Sequence, residues 1–412
     1  MKFFHLADLH FGKSIHGVPL LENGDQPVWV ERFLALAEET RPDAVVIAGD
    51  IYDRSAPSGD AVALFDHMAT ALTEMGVTVM AVAGNHDSGQ RLSFGGSLLA
   101  KQKLHIAGVL SPRLPCVTLS DGHGPVNFWL MPYIFPALAA QKLGDDGIRD
   151  YDTAVRRLLT SQGIDFTQRN VLVAHQNVAA NGIETSRGGS ESMVGGIGQV
   201  DYSAFDGFDY AALGHIHAAY SVGRTEVRYA GSPLCYHFDE TKQPAKGPLL
   251  VELGAKGTAP TITRRDIPPL HPMRRIRGSF EELQQAELQN AVQGEYIQVI
   301  LTDRRLNPSI DAFFRNLFEK RGSTVLEIKS EYSQFGALPA PSNTRPTEEK
   351  AIEALFMDFY TQRRGGLVPT PQEQELLRFA GEQVRHTGYG KDALERQAKA
   401  LQQFALEQEA EK

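Results

Sequence analysis

Short apolar runs and helical stripes alternate along the first two thirds of the chain. Residues 2–7 (KFFHLA), 43–48 (DAVVIA) and 78–83 (TVMAVA) read as strands. They are short and apolar, two of them rich in valine, which suits strands buried on both faces. Between the last two, Val62, Phe65, Met68 and Leu72 recur at helical spacing and predict a helix over 58–75. Strand, helix and strand in that order imply a parallel pair joined by a right-handed crossover. Residues 171–174 (VLVA) and 210–213 (YAAL) repeat the strand signal, and 226–230 (EVRYA) and 248–253 (PLLVEL) predict further strands in a second sheet. Residues 1–265 therefore read as one large α/β domain.

A smaller α+β module is predicted over 266–332. Its strands are 273–277, 295–301 and 324–329. Ile310, Phe313, Phe314, Leu317 and Phe318 give its helix one apolar face. The proline-bearing stretch 333–347 (SQFGALPAPSNTRPT) reads as a linker. Beyond it, 348–412 reads as a helical tail, with Ile352, Leu355, Phe356 and Phe359 on one helix and Leu394, Leu401 and Ala405 on another. Amphipathic helices behind a linker are expected to dock on their own body or on a partner.

Composition narrows the classes. The chain has 412 residues, 42% of them hydrophobic and 22% charged, so a wholly disordered protein is excluded. Two cysteines, Cys116 and Cys235, and no CxxC pair argue against a disulfide scaffold and a thiolate zinc site. The 41 basic and 50 acidic side chains give a net charge of −9, which argues against tight autonomous binding of nucleic acid but not against a local basic patch. No run approaches the ~18 apolar residues of a membrane span, no signal-peptide pattern opens the sequence, and a reducing cytoplasm is the expected compartment.

Candidate chemistry lies just beyond the strand ends. Asp8-Leu9-His10, Gly49-Asp50, Gly84-Asn85-His86-Asp87, His175 and Gly214-His215-Ile216-His217 each follow an apolar run. In open α/β sheets, sites form outside the carboxyl ends of the strands. Each cluster alone has a bland explanation: a hydrogen-bonded histidine, or a turn where Asn and Gly tolerate positive φ. Five clusters in the same context favour metal binding instead. Asp8, His10, Asp50, Asn85, His86, His175, His215 and His217 offer carboxylate, imidazole and amide donors without thiolate, a set suited to Mn, Fe or Zn. Eight donors exceed the needs of one ion. Two ions sharing a carboxylate suit phosphoester hydrolysis.

DLHFG, GDIYDR, GNHD, a lone His and GHIH, in this order, resemble the calcineurin-type metallophosphoesterases. GDIYDRSAPS, GNHDS, ALGHIH and RYAGSPLCYHFDE narrow the resemblance to the SbcD family, nuclease subunits of bacterial SbcCD complexes. The likeness spans the whole chain. It implies a two-sheet αββα metallophosphoesterase sandwich, a small α+β capping domain and a helical C-terminal tail. It also implies two divalent ions, Mn(2+) foremost. One would be held by Asp8, His10, Asp50 and His217, the other by Asp50, Asn85, His175 and His215, with Asp50 bridging. His86 would face the scissile phosphate and serve the leaving group, and Asp87 would orient the His86 ring. The implied activity is duplex-end exonuclease and hairpin or single-strand endonuclease, in DNA repair and recombination. The implied partners are DNA, an SbcC-type ATPase docked by the tail, and a second copy within a heterotetramer. No GxxxxGK[ST] loop exists, so ATP hydrolysis falls to the partner. The rivals are a small-nucleotide phosphodiesterase or phosphatase and a non-catalytic DNA-end scaffold.

Other features carry two readings each. The glycine- and serine-rich stretch 182–200 suits a DNA-facing loop or a solvated one. Arg274, Arg275 and Arg277 suit phosphate contacts or a solvated face. His5, His16, His67, His105, His123, His237, His271 and His386 lack ligand context and read as structural.

Overall fold

In the computed structural model of the chain, residues 1–180, 198–242, 245–290 and 292–332 are described below. The expected linker (333–347), the expected tail (348–412), His386 and most of the 182–200 stretch lie outside them.

Two six-stranded sheets face each other. The first has the order Thr261–Arg264, Leu249–Glu252, Lys2–Leu6, Ala44–Ala48, Thr78–Val82, Leu104–Ala107. Its last four strands are parallel, and Leu249–Glu252 is antiparallel to Lys2–Leu6. The second has the order Tyr220–Val222, Arg224–Tyr229, Tyr210–Gly214, Arg169–His175, Gly124–Met131, Cys116–Asp121. Its four inner strands are parallel and an antiparallel pair closes each edge.

Side-chain alternation builds three apolar layers. Phe3, Val46, Met80 and Val82 meet Phe128, Val171, Val173 and Tyr210 between the sheets. Their neighbours Phe4, Leu6, Val45, Ile47 and Val79 point the other way, onto Trp29, Phe33, Met68 and Leu72 of helices Asp25–Thr40 and Gly59–Glu74. On the far side Leu172, Ala174, Ala211 and Leu213 pack on helix Tyr151–Ser161 through Val155, Leu158 and Leu159. The result is an αββα sandwich. At roughly 1.5–3 kcal/mol per fully buried large side chain, these layers hold the strand ends rigidly in place.

Two expectations are corrected. The strand within 248–253 lies in the first sheet, not the second. Its alternation fits either sheet, but Leu249 and Val251 enter the inter-sheet layer beside Phe3 and cover the open edge of Lys2–Leu6. In the helix within 58–75, Val62 is 44% exposed, and the buried stripe is Ala61, Leu64, Phe65, Met68, Ala69 and Leu72. Val62 is one position off the centre of that stripe.

A third sheet of three parallel strands, Met273–Gly278, Tyr296–Leu301 and Thr324–Ser330, follows, with helices Phe280–Gln289 and Pro308–Glu319 between them. It has its own core of Ile297, Val299, Leu301, Phe314 and Phe318. A capping box between Ser279 and Glu282 starts its first helix. It meets the sandwich at buried Asp25, whose carboxylate accepts from the Tyr296 hydroxyl at 2.7 Å and pairs with His271 Nδ1 at 2.9 Å. Arg274 is held by Glu287 and Glu295, Arg275 by Asp239, and Arg277 by Glu331. The three guanidinium groups thus have carboxylate partners within the protein.

Candidate metal centre

Four of the candidate donors stand on strained backbone. Asp8, His10, Asp50 and His215 have φ of 53°, 45°, 49° and 107°. Each such residue costs about 1–3 kcal/mol and persists only where its surroundings over-determine it. Here the loops brace one another. The Asp8 amide donates to the Gly49 carbonyl (3.1 Å) and the His10 amide to the Asp50 carbonyl (2.9 Å). The Asp87 carboxylate accepts from the amides of Ile51, Tyr52 and Gly84 at 3.0–3.1 Å, tying the second motif to the third.

The glycines ahead of the donors are required by contact distance. A Cβ at Gly84 would lie 2.1 Å from Asp50 Oδ1, and one at Gly49 would lie 2.2 Å from His175 Nδ1. Neither glycine could carry a side chain without moving the donor beside it.

The donors from both sheets meet beyond the strand ends. Asp8, His10, Asp50, His175, His215 and His217 are buried, and His86 is half-buried. His10 Nε2 and His217 Nε2 are 3.2 Å apart. Asn85 Oδ1 lies 2.9 Å from His175 Nε2 and 3.1 Å from His215 Nδ1. Asp50 Oδ2 lies between the two groups, 3.3 Å from His175 Nε2 and 3.7 Å from His10 Nε2. Asp8 Oδ1 accepts from the His215 amide at 2.9 Å and lies 3.9 Å from His175 Nδ1. Donor atoms of Asp8, His10 and His217, of His10, Asp50 and His86, and of Asp8, Asp50 and His175 lie within 4.8 Å of one another in each set.

Electrostatics test whether cations fit. Asp50 Oδ2 is fully buried and faces the imidazoles of His175 and His10. Burial opposes its charge, yet His175, then His10 and His86, hold the Asp50 carboxyl well below the usual range. Burial also opposes charge on His175, but Asp50 and Asp8 raise that ring to about 10. With Nδ1 directed at the Ala48 carbonyl (2.8 Å), the charge-bearing edge is Nε2, facing Asp50 and Asn85 oxygens. Positive charge is therefore favoured at that point, and a divalent ion there would satisfy the same oxygens while accepting the Nε2 lone pair. His10 is pushed well below its ordinary value, chiefly by burial, and so offers a neutral ring. The residues fit metal ions.

His86 and Asp87 are placed differently from one another. The His86 amide donates to Asp50 Oδ1 at 2.9 Å, and its ring Nδ1 lies 2.9 Å from the Asp53 carbonyl. The Nδ1 contact thus comes from the Asp53 backbone, while the Asp87 carboxylate faces the loop amides. That carboxylate is engaged by three amides, and burial, then the nearby Asp50 charge, raises it to about 6.

The motif pattern missed several supporting residues. Glu240 is buried against His217, with Lys246 beside it. The Gln26 amide donates to the His10 carbonyl at 2.7 Å, and the Tyr236 hydroxyl to the Leu9 carbonyl at 2.6 Å. Glu240 falls in the HFDE stretch, which was the available signal. Gln26 had none. Among the expected structural histidines, His5 sits between the sheets, bonded to the Tyr210 hydroxyl and the Leu213 carbonyl, and burial lowers it to about 3.

Among the described residues, no helix is long and apolar enough to cross a membrane.

The chain is similar to known proteins along most of its length. The calcineurin-like phosphoesterase family matches residues 1–219, and the Type 5 capsule protein repressor C-terminal domain matches residues 269–364. The SbcD subunit of nuclease SbcCD from Staphylococcus saprophyticus subsp. saprophyticus is 34% identical over 294 residues, 70% of this chain and 75% of that protein. Its counterpart from Staphylococcus epidermidis, of the same name, is 30% identical over 352 residues, 81% of this chain and 91% of that protein. The crystal structure of TT1561 of Thermus thermophilus superposes with a TM-score of 0.38 at 12% identity, over 64% of this chain and 98% of that one, too low a score to bear on the fold. On the family match across 1–219 and the relatives' identity along most of both chains, the protein belongs to the calcineurin-like phosphoesterases and, among them, to the SbcD family.

Proposed function

We propose that the chain is the metal-dependent DNA nuclease subunit of an SbcCD-type complex. It hydrolyses phosphodiester bonds as a duplex-end exonuclease and a hairpin or single-strand endonuclease. Its partners are an SbcC-type ATPase and, within a heterotetramer, a second copy of itself. A DNA substrate and an ATP-driven partner put that work in the cytoplasm. The relatives named as SbcCD nuclease subunits support the substrate and the partner.

The observation that carries the chemistry is Asp50 Oδ2, fully buried and flanked by the imidazoles of His175 and His10. One such oxygen suits a carboxylate shared by two ions, Mn(2+) foremost. Asp8, His10, Asp50 and His217 would hold one, and Asp50, Asn85, His175 and His215 the other. When bound, two such ions neutralise the phosphodiester and promote attack by water. The protein's part is preorganisation: strained loops locked by Asp87 hold the donors before metal arrives. His86, half-buried, donates its Nδ1–H to the Asp53 carbonyl, so its Nε2 would first take up a proton, as the imidazolium, and then pass that proton to the departing oxygen.

The test compares a labelled DNA hairpin with a chromogenic phosphodiester, each with Mn(2+). Cleavage of the hairpin is expected. Turnover of the small diester alone would replace this function by a nucleotide phosphodiesterase.

A further inference from the structure

The short turn Phe238–Lys242 touches both the metal centre and the third sheet. Glu240, 4% exposed, places Oε1 3.1 Å from His217 Nδ1. Its Oε2 accepts from Lys246 Nζ at 2.7 Å, from the Ser232 hydroxyl at 3.2 Å and from the Tyr236 amide at 3.3 Å. Lys246 Nζ also donates to the His217 carbonyl at 2.8 Å. The preceding residue, Asp239, receives Arg275 Nη2 at 2.9 Å from strand Met273–Gly278.

We infer that Glu240 is the positioning residue for His217, and that the third sheet reaches the same ring through Arg275 and Asp239. A neutral imidazole carries one N–H and one lone pair, and only the lone pair binds a metal. Glu240 takes the N–H at Nδ1, which leaves the lone pair on Nε2, the atom facing His10. A carboxylate behind a ligating imidazole fixes the ring's tautomer and orientation and raises its basicity. Lys246, Ser232 and the Tyr236 amide hold Glu240 by its second oxygen, so the carboxylate cannot turn away without breaking a buried network. The Arg275–Asp239 pair is partly exposed, at 27% and 40% for the two side chains, so its direct stabilisation is small. Its consequence is positional: it fixes the turn on which Glu240 stands.

The inference depends on the nuclease assignment only for its effect on cleavage, because tautomer and metal binding are measured without DNA. The experiment uses the full chain with Glu240→Ala, Glu240→Gln, Arg275→Ala and, as a control in the same module, Arg277→Ala. Mn(2+) affinity is read by electron paramagnetic resonance of free ion, and the His217 tautomer by 15N NMR of the metal-free, histidine-labelled protein. Wild type is expected to show Nδ1 protonated. Glu240→Ala is expected to mix the tautomers and weaken Mn(2+) binding by ~10–100-fold, while Glu240→Gln, whose amide oxygen still accepts, loses less than about tenfold. Arg275→Ala is expected to weaken binding roughly two- to fivefold and Arg277→Ala not at all. A folded Glu240→Ala protein with wild-type affinity would overturn the inference. So would a wild-type His217 protonated on Nε2, a measurement that stands even if Glu240→Ala does not fold. Equal affinities for Arg275→Ala and Arg277→Ala would remove the third sheet from it. If the Glu240 effects are found but wild type cuts no DNA, the nuclease assignment fails and the positioning role remains.

Discussion

Asp50 and His175 face each other at 3.3 Å, one from the loop after strand Ala44–Ala48 of the first sheet, the other from the last position of strand Arg169–His175 of the second. Each holds the other charged. The carboxyl is kept well below its usual range and the imidazole is raised to about 10, against the burial that opposes both charges. The contact joins the sheets where the proposed ions would sit.

Asp50→Asn removes the charge from the oxygen that lies between both donor groups. Metal content is expected to fall and cleavage to vanish, checked by elemental analysis beside a Mn(2+)-supported nuclease assay. Full activity in this variant would refute the shared carboxylate.

His86→Gln tests the proton-transfer role. Metal content should hold while turnover drops by ~10²–10⁴. A parallel loss of metal would make His86 a ligand, as its proximity to His10 and Asp50 allows.

Gly84→Ala places a methyl 2.1 Å from Asp50 Oδ1, with the Asp50 amide nitrogen at 2.4 Å. Backbone or carboxylate must shift, so a loss of about 1–3 kcal/mol is expected in thermal unfolding, with weakened Mn(2+) binding. An unaltered melting curve together with unaltered metal affinity would show that the loop yields freely.

Metal uptake should release a proton from His175. Its raised value of about 10 means the metal-free ring is charged near neutrality, and a ligating nitrogen cannot keep that proton. The sign follows: affinity rises with pH, by about tenfold per unit for one displaced proton, and levels off above the ring's own value. Calorimetry in buffers of different ionisation enthalpy measures the release. No proton release at pH 7 would contradict it.

Truncation after Thr347 should spare Mn(2+)-dependent cleavage, because the donors all precede it, but abolish recovery of an SbcC-type partner in a pull-down. Recovery of the partner by the truncated chain would move the docking surface elsewhere.

Sequence pattern alone carried the central strands, because Ala44–Ala48 and Thr78–Val82 are apolar runs buried on both faces. It also carried the candidate donors, since Asp, His and Asn directly after such runs stand out locally. Helix Asp25–Thr40, whose Trp29, Val30, Phe33, Leu34 and Ala37 recur at helical spacing, and the hairpin of Cys116–Asp121 with Gly124–Met131 lie outside the elements predicted from the sequence. The edge taken by Leu249–Glu252 was beyond the pattern, because alternation specifies which face is apolar and not which neighbour pairs with it. The same limit applies to the donors' surroundings. Glu240 lies 23 positions from His217, and Asp53, not the adjacent Asp87, contacts the His86 ring. Local order in the chain determines which groups are available and where strands end. Which atom faces which, and how burial and neighbouring charge shift it, arises only when the two sheets close on each other.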